Sequence, residues 1–84
     1  NDHLVELYPN PASKVLNVRV VGENNSEAMV LLTDLTGKLI YNSKLDGNTT
    51  ENITQIDVSN YSSGVYMLSV SMGTVYSTYK VVIE

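Results

Sequence analysis

Short apolar runs alternate with clusters of turn-forming residues along the whole chain. No segment keeps a helical period over three turns, whereas several runs alternate between apolar and polar residues as β-strands do. The pattern predicts seven strands, at Leu4–Tyr8, Lys14–Val21, Ala28–Leu35, Lys38–Lys44, Asn52–Val58, Val65–Met72 and Val75–Ile83.

The second and third predicted strands differ in their pattern. Leu16 and Val18 share one face, while Asn17 and Arg19 point the other way, which predicts a half-buried strand. The run Ala28–Leu35 is apolar on both faces, which is typical of a strand in the middle of a sandwich. Seven short strands at regular spacing predict an all-β fold, a seven-stranded antiparallel β-sandwich of Ig-like, Greek-key type. A closed barrel is the main alternative.

Length and composition agree with this prediction. The chain has 84 residues, so we expect one domain spanning 1–84, with no room for a second core or a deep substrate pocket. Apolar residues make up 43%, and Val, Leu, Ile and six Tyr dominate them, without Phe or Trp. Val, Ile, Thr and Tyr suit a pleated surface.

Charge and missing residue types exclude several functions. The net charge of -4 and the scatter of the five basic residues argue against nucleic acid as a partner. The lack of cysteine excludes disulfides, thiol nucleophiles and Cys-ligated zinc. The chain shows no apolar run long enough to span a membrane and no signal peptide, so we expect it to be a domain excised from a longer protein.

Groups that could support catalysis or metal binding are sparse. His3 is the one histidine, and we expect a solvated position near the terminus. The carboxylates fall mostly in turns or at strand ends, where they cap loop amides. A glycosidase pair such as Asp34 and Asp57 lacks a cleft, and Asp46-Gly47-Asn48 is too short for a calcium loop. We therefore predict no enzyme activity, no cofactor and no metal.

The tyrosines leave an alternative function open. Tyr8, Tyr41, Tyr66 and Tyr79 occupy strand positions compatible with a core, with their hydroxyls at its rim. If they were exposed instead, they would suit a carbohydrate-binding or adhesive Ig-like module. Sugar platforms favour Trp, which the chain lacks.

Three segments together resemble a known family. They are Leu7–Ala12, which reads LYPNPA, then Val30–Tyr41, which reads VLLTDLTGKLIY, and finally Ile56–Ser59 with Ser63–Val70 and the closing Tyr79–Ile83. In this order and spacing they resemble the type A C-terminal sorting domain of the type IX (Por) secretion system of Bacteroidetes. Members usually finish with a lysine-bearing strand and often with a final basic residue; Lys80 matches the lysine, whereas this chain ends Ile83-Glu84.

The resemblance implies a non-catalytic secretion signal. Such domains fold in the periplasm and dock on the outer-membrane translocon, so the implied partners are the translocon, a sortase and the cargo upstream in the same polypeptide. The sortase cuts just upstream of the domain, near or before Asn1, and anchors the cargo to lipopolysaccharide. The implied location is the periplasm in transit, then the outer membrane and cell surface or the extracellular space.

The motif residues that the resemblance singles out are Tyr8, Pro9, Asn10, Pro11, Asp34, Gly37, Lys38, Gly64, Val65, Tyr66, Lys80 and Val81. For most of them we expect a role in folding, because prolines stiffen turns and glycines permit backbone angles closed to other residues. Lys38 and Lys80 are the exceptions, for which we expect direct contact with the translocon. The last predicted strand is expected at a sheet edge, where it could pair with a partner or form a homodimer.

Overall fold

The computed structural model describes residues 4–21, 28–45, 51–72 and 74–84. They contain seven strands: β1 Leu4–Tyr8, β2 Val15–Val21, β3 Ala28–Asp34, β4 Leu39–Leu45, β5 Glu51–Asp57, β6 Gly64–Met72 and β7 Val75–Ile83. Each predicted strand is confirmed, with its bounds within one residue. The predicted loops at 22–26 and 46–50, and His3, lie outside the described residues. No helix in this part of the chain is long and apolar enough to cross a membrane.

The strands form two antiparallel sheets. One has the order β1-β2-β5 and the other β4-β3-β6-β7, and the chain passes between them after β2, β4 and β5. The expected β-sandwich is thus confirmed. The described strands do not close into a barrel, since the sheets meet in a single isolated bridge between Ala12 and Ile83.

The core lies between the two sheets and is almost entirely aliphatic. Every second residue of β2 and β6 points into it, and Leu16, Val18 and Leu68 are completely buried. Each such side chain stabilises the fold by about 1.5–3 kcal/mol relative to an exposed one. The buried apolar residues are Ala12, Leu16, Val18, Val20, Ala28, Val30, Leu32, Leu45, Ile56, Val58, Tyr66, Leu68, Val70, Val81 and Ile83.

Strand β3 is buried on one face, and the expectation that both faces would be covered is wrong. Val30 and Leu32 are completely buried, whereas Met29 on the opposite face is 39% exposed and Leu31 is half-buried. The reason is that β3 is central within its sheet, between β4 and β6, but the sheet has a second layer on its inner side alone. An apolar outer surface remains.

A β-bulge changes the faces of β4. The register shifts between Leu32, which pairs with Tyr41, and Thr33, which pairs with Leu39. Simple alternation would put Leu39 and Tyr41 on one face, but the extra residue breaks the alternation. Ile40 and Tyr41 both pack against the core, and Leu39 is 48% exposed.

Candidate recognition surface

The loop between β1 and β2 binds the last strand through Asn10. The Asn10 side chain donates from Nδ2 to the Lys80 carbonyl oxygen at 3.2 Å, and its Oδ1 accepts from the Val82 amide at 3.0 Å. Two main-chain bonds continue the contact: the Ala12 amide donates to the Val82 oxygen at 2.9 Å, and the Glu84 amide donates to the Ala12 oxygen at 2.8 Å. We call these four bonds the Asn10 clamp. They join segments about 70 residues apart in sequence.

The clamp covers half of an edge strand. Strand β7 ends the order β4-β3-β6-β7, so it lies at a sheet edge as expected. Its outward backbone groups recur at every second residue. Those of Lys80, Val82 and Glu84 are bonded to the loop, which leaves the half around Tyr76 and Thr78 uncovered by it.

The two prolines frame this contact. Pro9 and Pro11 are exposed, and the peptide bonds preceding them are both cis. Proline lacks an amide donor, so neither residue competes with Asn10 and Ala12 for the acceptors on β7.

The turn from β3 to β4 is organised by one carboxylate. Oδ1 of Asp34 accepts from the Thr36 hydroxyl at 2.6 Å, the Thr36 amide at 2.9 Å and the Lys38 amide at 3.0 Å. Gly37 has φ of 91°, and its amide donates to the Asp34 carbonyl at 3.1 Å. The hydrogen bond from the Thr36 hydroxyl, followed by those from the two amides, holds the pKa of Asp34 below its usual 3.8 although partial desolvation opposes this.

The start of β6 combines a glycine with a buried tyrosine. Gly64 has φ of 155°, and a Cβ at this position would meet no atom within 4 Å, so the backbone angle rather than space calls for glycine. The Tyr66 side chain is in the core, and its hydroxyl donates to the Ser62 oxygen at 2.6 Å. Its ring lies 6.3 Å from that of Tyr61.

Exposure divides the candidate residues into two groups. Tyr66 is 7% exposed and Val81 is completely buried, so neither side chain is available to a partner. Val65 is half-buried opposite Val82. Lys38 and Lys80 are exposed, Lys38 in the β3–β4 turn and Lys80 on the outer side of β7.

Tyr8 does not occupy the core position predicted for it. It is 42% exposed and pairs with Asn17, whose neighbours Leu16 and Val18 are buried on the other side of the sheet. Alternation along β1 therefore turns Tyr8 outward. Its carbonyl accepts a hydrogen bond of 3.1 Å from Asn17 Nδ2.

The acidic groups of the described residues serve the local structure. Asp57 accepts from the Ser59 hydroxyl at 2.6 Å and from its amide at 3.0 Å, and these bonds lower its pKa in the same way as that of Asp34. Arg19 binds Glu6 at 2.7 Å on one side and Glu51 on the other. Three or more His, Cys, Asp or Glu side chains placed to hold a metal ion do not occur among the described residues.

The fold gathers most of the candidates on the four-stranded sheet, while Tyr8 lies on the other sheet. Those from Asp34 to Val81 lie in the four-stranded sheet or in its β3–β4 turn, and Asn10 reaches that sheet through the clamp. No local sequence pattern signals the Asn10 clamp or the pairing of Arg19 with Glu6 and Glu51, because both depend on strand register.

The chain matches a known protein family over nearly its whole length. The model described as a secretion system C-terminal sorting domain matches residues 6–84. No curated protein matches the chain at a significant level.

Proposed function

The chain belongs to the family of type IX secretion system C-terminal sorting domains, and we propose that the translocon recognises it as a folded unit. Domains of this family are secretion signals and not catalytic domains. As a sorting signal it directs an upstream cargo through the secretion machinery to the cell surface or the extracellular space. The translocon recognises the domain before export, and the domain is removed after export.

The Asn10 clamp is the observation that carries this proposal. It brings the first and last motif segments, about 70 residues apart in sequence, into hydrogen-bond contact. An unfolded chain does not hold these segments together, since closing so long a loop without other contacts is entropically unfavourable. A translocon that contacts both segments at once therefore requires the folded domain.

We assign different roles to the candidate residues. Asn10, Gly37, Gly64 and Tyr66 hold the turns and the clamp in place. Lys38 and Lys80 contact the translocon directly, because each projects an exposed, charged side chain, Lys38 from the β3–β4 turn and Lys80 from β7. Rim charges of this kind mainly affect the rate of association and its specificity.

A reporter fusion tests the proposal. The 84-residue chain is fused to the C-terminus of a fluorescent protein in a bacterium with a type IX system, and the exported fraction is measured. Lys80→Ala is expected to reduce export, whereas Lys14→Ala, which removes an exposed lysine just before β2, is expected to leave export unchanged. The melting temperatures of both variants should stay near that of the parent. A folded Lys80→Ala variant exported as well as the parent would contradict direct contact by this lysine.

The proposal extends to the passage of the domain from the periplasm to the cell surface and to its removal there. The domain passes through the periplasm folded, crosses the outer membrane with its cargo, and is removed by a surface sortase that anchors the cargo to lipopolysaccharide. Antibodies against the reporter and against the domain distinguish the products. Surface reporter that has lost the domain epitope and migrates as a broad, heavier band supports this step; reporter that still carries the domain contradicts it.

The edge strands limit how two copies could pair. Because the clamp occupies β7 from Lys80 to Glu84, a homodimer through this strand would use its first half, around Tyr76 and Thr78. Light scattering over a range of concentrations measures this association directly.

The positions of the exposed tyrosines give little support to a carbohydrate-binding role. The strongly exposed tyrosines of the described residues are Tyr8 and Tyr76, on the outer faces of different sheets. Residues so placed do not form one stacking platform for a sugar.

A further inference from the structure

The outer side of the four-stranded sheet carries several apolar side chains. Strand alternation turns fourteen side chains to this side, and we call them the Met67 face. Its members are Met29, Leu31, Thr33, Leu39, Asn42, Lys44, Val65, Met67, Ser69, Ser71, Tyr76, Thr78, Lys80 and Val82. The inward neighbours of these residues form one side of the core, so burial within the domain does not explain the apolar members.

Each strand of this face contributes apolar side chains, and polar ones are interleaved with them. One row of paired residues runs from Leu39 through Thr33 and Met67 to Lys80. Val65 and Val82 pair beside this row, so the apolar surface continues to the edge of the sheet. Neighbours within and between such rows lie close enough for their side chains to touch.

The next rows extend the surface toward the other end of the sheet. Leu31 and Met29 follow Thr33 on the same side of β3. Their partners are polar: Leu31 lies between Asn42 and Ser69, and Met29 lies between Lys44 and Ser71. The Tyr76 side chain lies over this end, where its hydroxyl donates to the Ser69 hydroxyl at 3.1 Å, and Ser69 is 7% exposed.

The opposite side of the sandwich differs in its charges. On the three-stranded sheet, Arg19 lies between Glu6 and Glu51, and these charges bind one another within the domain. We call this side, with Tyr8, Val15, Asn17, Val21, Ile53, Gln55 and Asp57, the Arg19 face. The strand positions of the Met67 face carry two lysines, Lys44 and Lys80, and no carboxylate; Glu84 follows beyond the end of β7. A chain with a net charge of -4 thus presents one side without acidic strand residues.

We propose that the Met67 face is the surface with which this sorting domain docks, and that its partner is a protein surface with an apolar centre bordered by carboxylates. This deepens the function proposed above and rests on it. Apolar side chains at the centre of an interface supply most of the affinity, and charges at the rim supply complementarity. The strand positions of this face carry lysines and no carboxylate, so a partner bordered by carboxylates complements its charge, whereas a second copy would bring a face of the same charge against it.

Charge substitutions on the two sides of the sandwich test the proposal in the reporter fusion. Met29→Glu and Leu39→Glu place a carboxylate on the Met67 face at positions that are 39% and 48% exposed. Ile53→Glu makes the same change on the Arg19 face, at a position that is 55% exposed. The first two are expected to lower export about tenfold, because each sets a carboxylate against the carboxylates of the partner. Ile53→Glu is expected to leave export unchanged.

The lysine at the rim gives a second, independent comparison. Lys80→Glu is expected to lower export more than Lys80→Ala, because it adds repulsion from the partner's carboxylates, and Lys80→Arg is expected to retain export. Circular dichroism checks that each variant is folded. If Met29→Glu does not fold, Leu39→Glu provides the test, because Leu39 is the more exposed of the two residues.

The outcomes separate this inference from the function on which it rests. If the parent domain does not export the reporter, the proposed function fails. If the parent exports it and folded Met67-face variants do so equally well, the docking surface is overturned while the function stands. A Met67-face substitution that dissociates a dimer seen by light scattering, without lowering export, identifies a second copy as the occupant and refutes the proposed partner. Binding of the isolated domain to anionic vesicles that Lys80→Glu abolishes, again without loss of export, refutes it in favour of a lipid surface.

Discussion

Replacing Asn10 by alanine removes the two side-chain bonds of the Asn10 clamp. Asn10 donates to the Lys80 oxygen at 3.2 Å and accepts from the Val82 amide at 3.0 Å. The substitution leaves the main-chain bonds of Ala12 with Val82 and Glu84 in place. It therefore measures what the motif asparagine contributes to holding β7 against the loop.

The expected loss depends on the number and exposure of these bonds. A hydrogen bond contributes about 0.5–1.5 kcal/mol net, and least where water replaces the lost partner. Asn10 is exposed, so we expect Asn10→Ala to lower the free energy of unfolding by about 1–2 kcal/mol. For a domain of this size that corresponds to a fall in melting temperature of roughly 5–15 °C.

Thermal unfolding followed by far-UV circular dichroism measures the loss. Asn42→Ala is the matched control, because Asn42 is an exposed asparagine on β4, away from the clamp. Amide hydrogen exchange adds local information, since the Val82 amide loses its acceptor in Asn10→Ala and should exchange faster. If Asn10→Ala and Asn42→Ala unfold at the same temperature and the Val82 amide keeps its protection, the clamp does not stabilise β7.

Asn10→Asp separates the two bonds. At neutral pH the carboxylate still accepts from the Val82 amide but opposes the Lys80 carbonyl oxygen, to which Asn10 donates in the parent. The melting temperature of Asn10→Asp at neutral pH should therefore lie below that of the parent, and equal melting temperatures would contradict the donor role.

Two further predictions concern the β3–β4 turn. Gly37→Ala should destabilise the domain by about 1 kcal/mol, because a φ of 91° strains an L residue although space is free around it. Gly37→Asn should destabilise it less, since Asn tolerates this backbone region better. Equal unfolding midpoints in urea for Gly37→Ala and the parent would contradict this. Asp34 has a pKa below 3.8 in the folded state, so its contribution to stability is present above 3.8 and is lost as pH falls through the folded pKa. Between about pH 5 and 2, the melting temperature of Asp34→Asn should fall less than that of the parent, and parallel curves would argue against this contribution.

The final strand illustrates why folding and recognition need separate tests. Val81 is completely buried, Ile83 is 1% exposed, and Tyr79 packs against the core. A truncation of β7 removes core side chains together with the exposed Lys80. Loss of export in such a truncation therefore does not distinguish a missing contact from a missing fold, whereas single substitutions at exposed positions do.

Much of this fold could be predicted from local patterns. The seven strands follow from apolar alternation and turn residues, whose effects act over a few positions. The glycines at 37 and 64 and the capping carboxylates at 34 and 57 also act locally, and the structure has them in these roles. The predicted core positions of Tyr41, Tyr66 and Tyr79 are confirmed, while that of Tyr8 is wrong.

Features that depend on strand register could not be predicted in this way. The alternating pattern of β1 is compatible with Tyr8 on either face, and the pairing of Tyr8 with Asn17 decides that it points outward. The bulge opposite Thr33 turns Leu39 outward, against simple alternation. A run that is apolar on both faces looks the same whether its second face is covered by the chain itself or by a partner.

The sequence by itself determined the strands, the turns and the membership in a sorting-domain family, because these are carried by the order and spacing of neighbouring residues. The tertiary structure alone decided that Asn10 holds β7 about 70 residues away, and that the apolar side chains around Met67 form one surface beside Lys80. The physical reason is that strand pairing and sheet packing act between residues distant in sequence. Backbone hydrogen bonds form between almost any residues, so local sequence does not specify which strands they join.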